Sequence, residues 1–331
     1  EKKKRRSRVE SFEGKIAVVT GGGTGMGREL VCQLIAAGAH VATCDVIEEN
    51  LLETKELAEK KGTGRLTTHM CDVSDKNQQI RFRAEVSARH ETDHIDLLFN
   101  NAGIGTSPSI MAEDRTEWER TFNVCWYGVY YSCTTFLPML QASTESRIIN
   151  TSSVNGFWAS AGPHHPHTAY CAAKFAVKGF TEALITDLRI NAPNVSCSVV
   201  MPGHIGTSIV ENSRKLVREK NADDLTDSEV ERARERYLRA GLPLDNVPDE
   251  HIKQMMQQEL DDFRDKALTS AEDAASIILK GVKEKRWRIL VGEDAEFLDQ
   301  SVREDPESAY ELEFFQRLAN REMALDFDNG N

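Results

Sequence analysis

Tyr170 and Lys174 stand four positions apart, among alanines, in "TAYCAAKFAVKGF", residues 168–180. At helical pitch that spacing puts a phenol and an ammonium on one face. A free phenol titrates near ~10, too high for ready proton exchange in both directions at neutral pH. A cation one turn away favours the phenolate and lowers that value. The pair therefore reads as a proton donor of tuned acidity; an amphipathic tyrosine beside a solvated lysine is the plainer alternative. Ser153, in "TSSVNG" (151–156), adds a hydroxyl at a strand end, suited to donate to a developing oxyanion. Ser153, Tyr170 and Lys174 together are the candidate catalytic set. Their chemistry suits hydride addition to a carbonyl, which leaves an alkoxide that an acid must meet.

A hydride donor needs a cradle, and "TGGGTGMG" (20–27) follows one apolar run and opens a helical pattern. Glycines there allow a tight turn and close backbone approach, and the free N–H groups of the helix start receive an anion. Gly21, Thr24, Gly25, Met26 and Gly27 are the expected dinucleotide contacts. Asp45 lies 18 residues past Gly27, at the end of the next strand run. A carboxylate there accepts both ribose hydroxyls and repels a 2′-phosphate, which favours NAD over NADP. Arg28, just past the turn, leaves NADP open.

These residues need a frame. "KIAVVT", "HVATCD", "LTTHMCDV", "IDLLFNNAG", "RIINTSS", "VSCSVVMPG" and "RWRILVG" read as strands alternating with helical patterns. Each crossover must return the chain to the same edge, so the sheet is parallel and covered on both faces. The runs are continuously apolar rather than alternating, as buried strands are.

The motifs "TGGGTGMG", "CDV" (71–73), "NNAG" (100–103), "TSSVNG", "YCAAK" (170–174) and "PGHIGT" (202–207) occur in one order over about residues 14–207. In this the chain resembles the short-chain dehydrogenase/reductase family. The resemblance implies an α/β fold with a doubly wound, Rossmann-type sheet of about seven strands in the order 3-2-1-4-5-6-7. It also implies a nicotinamide cofactor, a small-molecule substrate of the alcohol or ketone type, and a homodimer or homotetramer formed through helices at 115–139 and 168–190. Carried over, Asp72 and Val73 border the adenine and Asn100 lies along the cofactor. Ile205 and Thr207 meet the nicotinamide amide, Ser153 holds the substrate oxygen, and Lys174 binds the nicotinamide ribose while tuning Tyr170.

Three features depart from that pattern. The asparagine the family carries ahead of its fifth strand falls on Cys125, with Asn123 about 200° away around the helix. A thiol is a weak donor and acceptor, which leaves open a dinucleotide-binding regulator or scaffold with little turnover, or a lyase or epimerase on the same fold. Ser153 and Tyr170 are 17 positions apart, and "AGPHHPHT" (161–168) fills the added length. It reads as a proline-stiffened loop at the substrate mouth; a metal site of His164, His165 and His167 is disfavoured because adjacent histidines rarely converge. Phe157 and Trp158 read equally as pocket wall for a bulky, apolar substrate and as core. Last, "ILVGEDA" leads into a helical C-terminal extension, about 293–331.

Residues 12–331 read as one elaborated domain, with a charged helical insertion, about 208–268, placed as a lid over the pocket. Residues 1–11, "EKKKRRSRVES", read as a disordered basic tail. The net charge of -12 argues against nucleic acid as a partner. No apolar run reaches the ~20 residues of a membrane helix. Seven cysteines without a CxxC pair sit in apolar runs, as reduced thiols of a cytoplasmic protein do.

Overall fold

The computed structural model describes residues 11–106, 108–163, 165–217, 226–239, 241–244 and 246–319. The basic stretch 1–10, His164 and the last residues of the C-terminal extension lie outside the described residues.

The chain opens with β1 (Ile16–Thr20), α1 (Gly25–Ala36), β2 (His40–Asp45), α2 (Glu48–Glu59), β3 (Leu66–Met70), α3 (Lys76–His90) and β4 (Leu97–Asn100). It continues through α4 (Thr116–Phe122), a π-helical turn (Asn123–Tyr127), α5 (Gly128–Ala142), β5 (Ser146–Thr151), a 3-10 turn (Val154–Gly156), α6 (Thr168–Asn191) and β6 (Val195–Pro202). After β6 come β7 (Ile205–Gly206), α7 (Ile209–Val217), α8 (Asp227–Arg239), α9 (Asp249–Asp265) and β8 (Thr269–Ser270). The chain closes with α10 (Ala271–Lys283), β9 (Arg288–Val291), α11 (Glu293–Glu304) and α12 (Leu312–Ala319).

Seven strands form one parallel sheet in the order β3-β2-β1-β4-β5-β6-β9. This is the expected topology; β7 and β8, a two-residue pair beside the sheet, shift only the numbering of the last strand. Side chains alternate across the pleat, so Val18 joins the core under α3, α5 and α6 while Ala17 and Val19 join the one under α1 and α10. Both faces are buried, which is why the strand runs are apolar without alternation.

Local chemistry sets the ends of the elements. The Asp75 carboxylate accepts from the N–H groups of Asn77 and Gln78 and caps α3. Gly38, at φ +83°, ends α1 in the left-handed region, where glycine carries no side-chain penalty. The helix expected at 115–139 is two helices joined by the π turn. The insertion is α7–α9, and α8 and α9 share a small core of Val230, Ala233, Tyr237, Leu244, Ile252 and Met256. Trp158 is fully buried with Phe314, Phe315 and Leu298 of the C-terminal helices, and half-buried Phe157 packs on that cluster. Trp158 is therefore core. No helix among the described residues is long and apolar enough to cross a membrane.

Candidate active site

Parallel strands end together, and a crevice opens where β1 and β4 diverge toward opposite sides. The glycine turn after β1 lines it. Cysteine 44's carbonyl accepts the N–H groups of both Gly21 and Gly22, which folds the turn back over β2. A Cβ on Gly21 would lie 2.7 Å from Ala102 Cα, and one on Gly23 would lie 2.7 Å from Asp45 Oδ2. The cradle exists only because those side chains are absent. Gly21, Thr24, Gly25, Met26, Gly27, Asp45, Asp72, Val73 and Thr207 all line this one cleft.

Asp45 is not a helix cap. Its Oδ2 accepts from Gly23 N at 2.9 Å and its Oδ1 from Val46 N at 2.7 Å, so the carboxylate is fixed at the rim of the turn. Arg28 is held by Gly23 O, Thr54 and Glu53, the last at 2.7 Å. In the same cleft Asp72 pairs with Arg120 at 2.7 Å. Burial opposes charge on Asp72, but the hydrogen bonds from Ser74 and Arg120 outweigh it and hold the carboxyl below its ordinary range.

Two expected contacts sit elsewhere. Asn100 lies behind the cleft, donating to Asn150 Oδ1 at 2.7 Å and to Cys133 Sγ. It is the last residue of β4 and points into the sheet, so the next residue, Asn101, faces the cleft instead. Asn101 Oδ1 is buried without a hydrogen-bond partner, an acceptor left over at the dinucleotide cradle. Ile205 is packed in the core and pairs through β7, leaving Thr207 to line the cleft.

Ser153, Tyr170 and Lys174 meet at the neighbouring end of the crevice. Ser153 lies near enough to Tyr170 for its side chain to favour the phenolate, and Lys174 Nζ lies 5.3 Å from the centre of the Tyr170 ring. Lys174 is buried and donates to Thr151 O at 2.9 Å. A Cβ on Gly103 would lie 3.5 Å from Lys174 Nζ, which ties this group to the cleft wall. Burial pushes the Tyr170 hydroxyl well above its ordinary range; Cys125 adds to the rise, and Ser153 opposes it. Burial lowers Lys174. The lysine is expected to set the acidity of the phenol; burial and then Cys125 act against ionisation here, and Ser153 acts for it.

Cys125 sits inside the π turn, fully buried, and donates to Ile104 O at 3.3 Å, while Asn123 is exposed. π turns gather at functional sites because they re-aim one side chain. His167, read from the sequence as part of the loop at the substrate mouth, stands at the N-cap of α6, three residues before Tyr170. Its ring lies 4.7 Å from that of Tyr170. Burial, with His165 near, holds the imidazole neutral, pushed down to about 4. The sequence reading missed the reach of α7: Asn212 Nδ2 donates to Thr24 Oγ1 at 3.0 Å, and Ser213 Oγ accepts from Gly105 N at 2.8 Å. Both bonds span from the insertion to the turns that line the cleft.

A doubly wound sheet, a glycine cradle and a Ser–Tyr–Lys cluster define a nucleotide-dependent oxidoreductase. The family model for short chain dehydrogenase matches residues 15–217, and the chain belongs to the short-chain dehydrogenase/reductase family. SadH of Mycobacterium tuberculosis, named as an oxidoreductase, is 32% identical over 295 residues, covering 89% of this chain and 92% of SadH. Mouse epidermal retinol dehydrogenase 2 is 31% identical over 61% of this chain and 64% of its own. Among solved structures, a short chain dehydrogenase/reductase of Burkholderia phymatum in complex with NAD has a TM-score of 0.71 at 25% identity, covering 90% of this chain and 95% of its own. The fold, the cradle and this neighbour support a nicotinamide cofactor.

Proposed function

We propose that this oxidoreductase prefers NAD and interconverts a secondary alcohol and a ketone. The observation that carries the reading is the clustering of Ser153 and Tyr170 beside buried Lys174, at the end of the dinucleotide cleft. When bound, the nicotinamide supplies or accepts the hydride. Ser153 orients the substrate oxygen, Tyr170 gives or takes its proton, and Lys174 holds a donor at the nicotinamide ribose. Gly21, Thr24, Gly25, Met26 and Gly27 bind the pyrophosphate side, Asp45 the adenosine ribose, Asp72 and Val73 the adenine, and Thr207 the carboxamide.

The preference for NAD rests on Asp45 at the rim and on Arg28 being spent on Gly23 O and Glu53. A bulky, apolar substrate fits the retinol dehydrogenases among the relatives. We take residues 12–331 as one catalytic unit, α7–α9 as its lid, and the cytoplasm, where the seven buried thiols stay reduced, as its compartment. A second reading, a dinucleotide-binding regulator, draws on Cys125, whose thiol stands where the family's asparagine is expected.

One experiment separates them. The protein is incubated with NAD+ or NADP+ and a panel of bulky secondary alcohols while NADH or NADPH absorbance is followed, beside Tyr170→Phe. Turnover with NAD+ that falls about 10²–10⁴-fold in the variant, with NADH binding kept, supports the oxidoreductase. Binding without turnover on any alcohol supports the regulator.

A further inference from the structure

Ser153 opens a 3-10 turn, and its Oγ accepts from Asn155 N at 3.1 Å. The turn is wedged against the catalytic helix: a Cβ on Gly156 would lie 2.2 Å from Ser152 Oγ and 2.8 Å from Lys174 O. Ser152 Oγ itself donates to Lys174 O at 2.7 Å. One side of this turn therefore sits on the residues of the site.

The other side ends in the C-terminal helices. Trp158 N donates to Val154 O at 2.9 Å, closing the turn. Its indole Nε1 donates to Ala309 O, 151 residues along the chain, at 2.7 Å. Its ring lies 5.7 Å from that of Phe314 and 5.5 Å from that of Phe315. Next to it, Ala159 N donates to the hydroxyl of Tyr310 at 3.1 Å. The same segment reaches the loop after β6, where Asp294 Oδ2 accepts from His204 N at 2.6 Å.

We infer that Trp158 is a positioning residue for Ser153, through which α11 and α12 brace the serine turn from behind. The inference rests on the oxidoreductase reading for the role of Ser153. The brace itself is a matter of where a turn is held. A large side chain buried in a cluster and hydrogen-bonded at its tip has one place to sit. Without that anchor the turn is held from one side only, and Ser153 loses its fixed place beside α6.

The test uses the full chain and two readouts that need no substrate. Hydrogen–deuterium exchange of residues 152–157 is measured without dinucleotide. The phenolate of Tyr170 is then titrated by ultraviolet difference absorbance with NAD+ present, with Tyr170→Phe as the blank. Trp158→Ala speeds exchange in the turn by about ten-fold and leaves that of β1 and α1 unchanged. It shifts the Tyr170 midpoint in the same sense and by the same amount as Ser153→Ala does, and the double variant shifts it no further. Trp158→Phe, which keeps the bulk and loses only the donor, recovers most of both. NADH affinity stays within about two-fold throughout.

Unchanged exchange with an unchanged midpoint in Trp158→Ala overturns the inference, and so does an additive double variant. If Trp158→Ala does not fold, Trp158→Phe and Tyr310→Phe decide by the same two readouts, each expected to speed exchange about three-fold. Failure of NAD+ to bind would sink the nicotinamide reading, while the exchange measurement would still judge the brace.

Discussion

The acidity of one phenol is governed by what surrounds it, and most of what surrounds Tyr170 is apolar. Lys174 Nζ is 5.3 Å from its ring centre and spends a hydrogen bond on Thr151 O, whereas Ser153 acts to favour the charged phenol. A hydrogen bond to the charged form lowers a pKa, and burial raises that of a phenol. The same balance acts far from the site at His90, which is buried and bonded to Thr67 Oγ1 at 2.8 Å. Thr67 is bonded in turn to His69, and His69 to Glu85. Burial first, then the charges of Arg65, His69 and His40, push His90 from 6.5 down to about 4. Between those values the unfolded chain binds the proton and the folded chain does not. The contribution of neutral His90 is therefore complete above pH 6.5 and is lost as pH falls toward about 4. Thermal unfolding midpoints across that window should fall less steeply for His90→Gln, by up to about one proton in the linkage slope. Equal slopes would refute the assignment. Such a histidine is invisible in the sequence because its burial depends on α3 closing over β3. Asn101 was missed for a different reason: in "NNAG" only the end of the strand decides which asparagine faces the cleft. Tyr170 and Lys174 were legible because a four-residue spacing on a helix needs no tertiary knowledge.

Elements add constraints that no single residue carries. The strand–helix alternation and the parallel sheet could be read directly, since buried strands are apolar and the glycine turn marks the first crossover. The insertion could be read only as charged and helical, because its partners are distant in sequence. In the fold, β7 pairs with β8, and His204 Nε2 bonds to Phe263 O at 2.7 Å, so the loop bearing Thr207 is tied to the end of α9. Gly206 is the point of closest approach: a Cβ there would lie 2.6 Å from Arg264 O, a backbone atom that cannot swing aside. Gly206→Ala must therefore displace either α9 or the loop. We expect NADH to bind about ten-fold more weakly, or about 1.4 kcal/mol, in a fluorescence titration. The melting temperature should change by only a few degrees, because α8 and α9 keep their own core. Unaltered NADH affinity would show that the loop does not depend on this contact. Trp158 makes the same point, since its indole bonds to a carbonyl 151 residues away and its neighbours in sequence do not announce it.

At the scale of the molecule, one aromatic face is left to explain. Trp126 stacks on Tyr130 at 6.0 Å, Phe180 meets Trp126 edge-on at 5.4 Å, and Tyr127 stacks on Tyr131 at 5.5 Å. Tyr127, Tyr130 and Phe175 are 38%, 40% and 41% exposed. Apolar side chains clustered on the outside of α5 and α6, whose inner faces belong to the core, mark an association surface more than scattered exposure does. A two-fold axis would lay the same two helices of each copy against each other, and a stable pair needs about 800 Å² from each partner. The net charge of -12 sets copies apart at long range, so contact has to be made by short-range packing of these rings. We expect sedimentation velocity to give two or four times the mass of the chain at micromolar concentration. Tyr127→Glu combined with Tyr130→Glu places two carboxylates on that face and should weaken association at least about hundred-fold. Both substitutions lie on the far side of the helix from Cys125 and Gly128, so NADH binding should persist in the separated chain. A wild-type protein that sediments as a single chain, or a double variant that stays assembled, would remove this face from the account and leave the rings as surface packing alone.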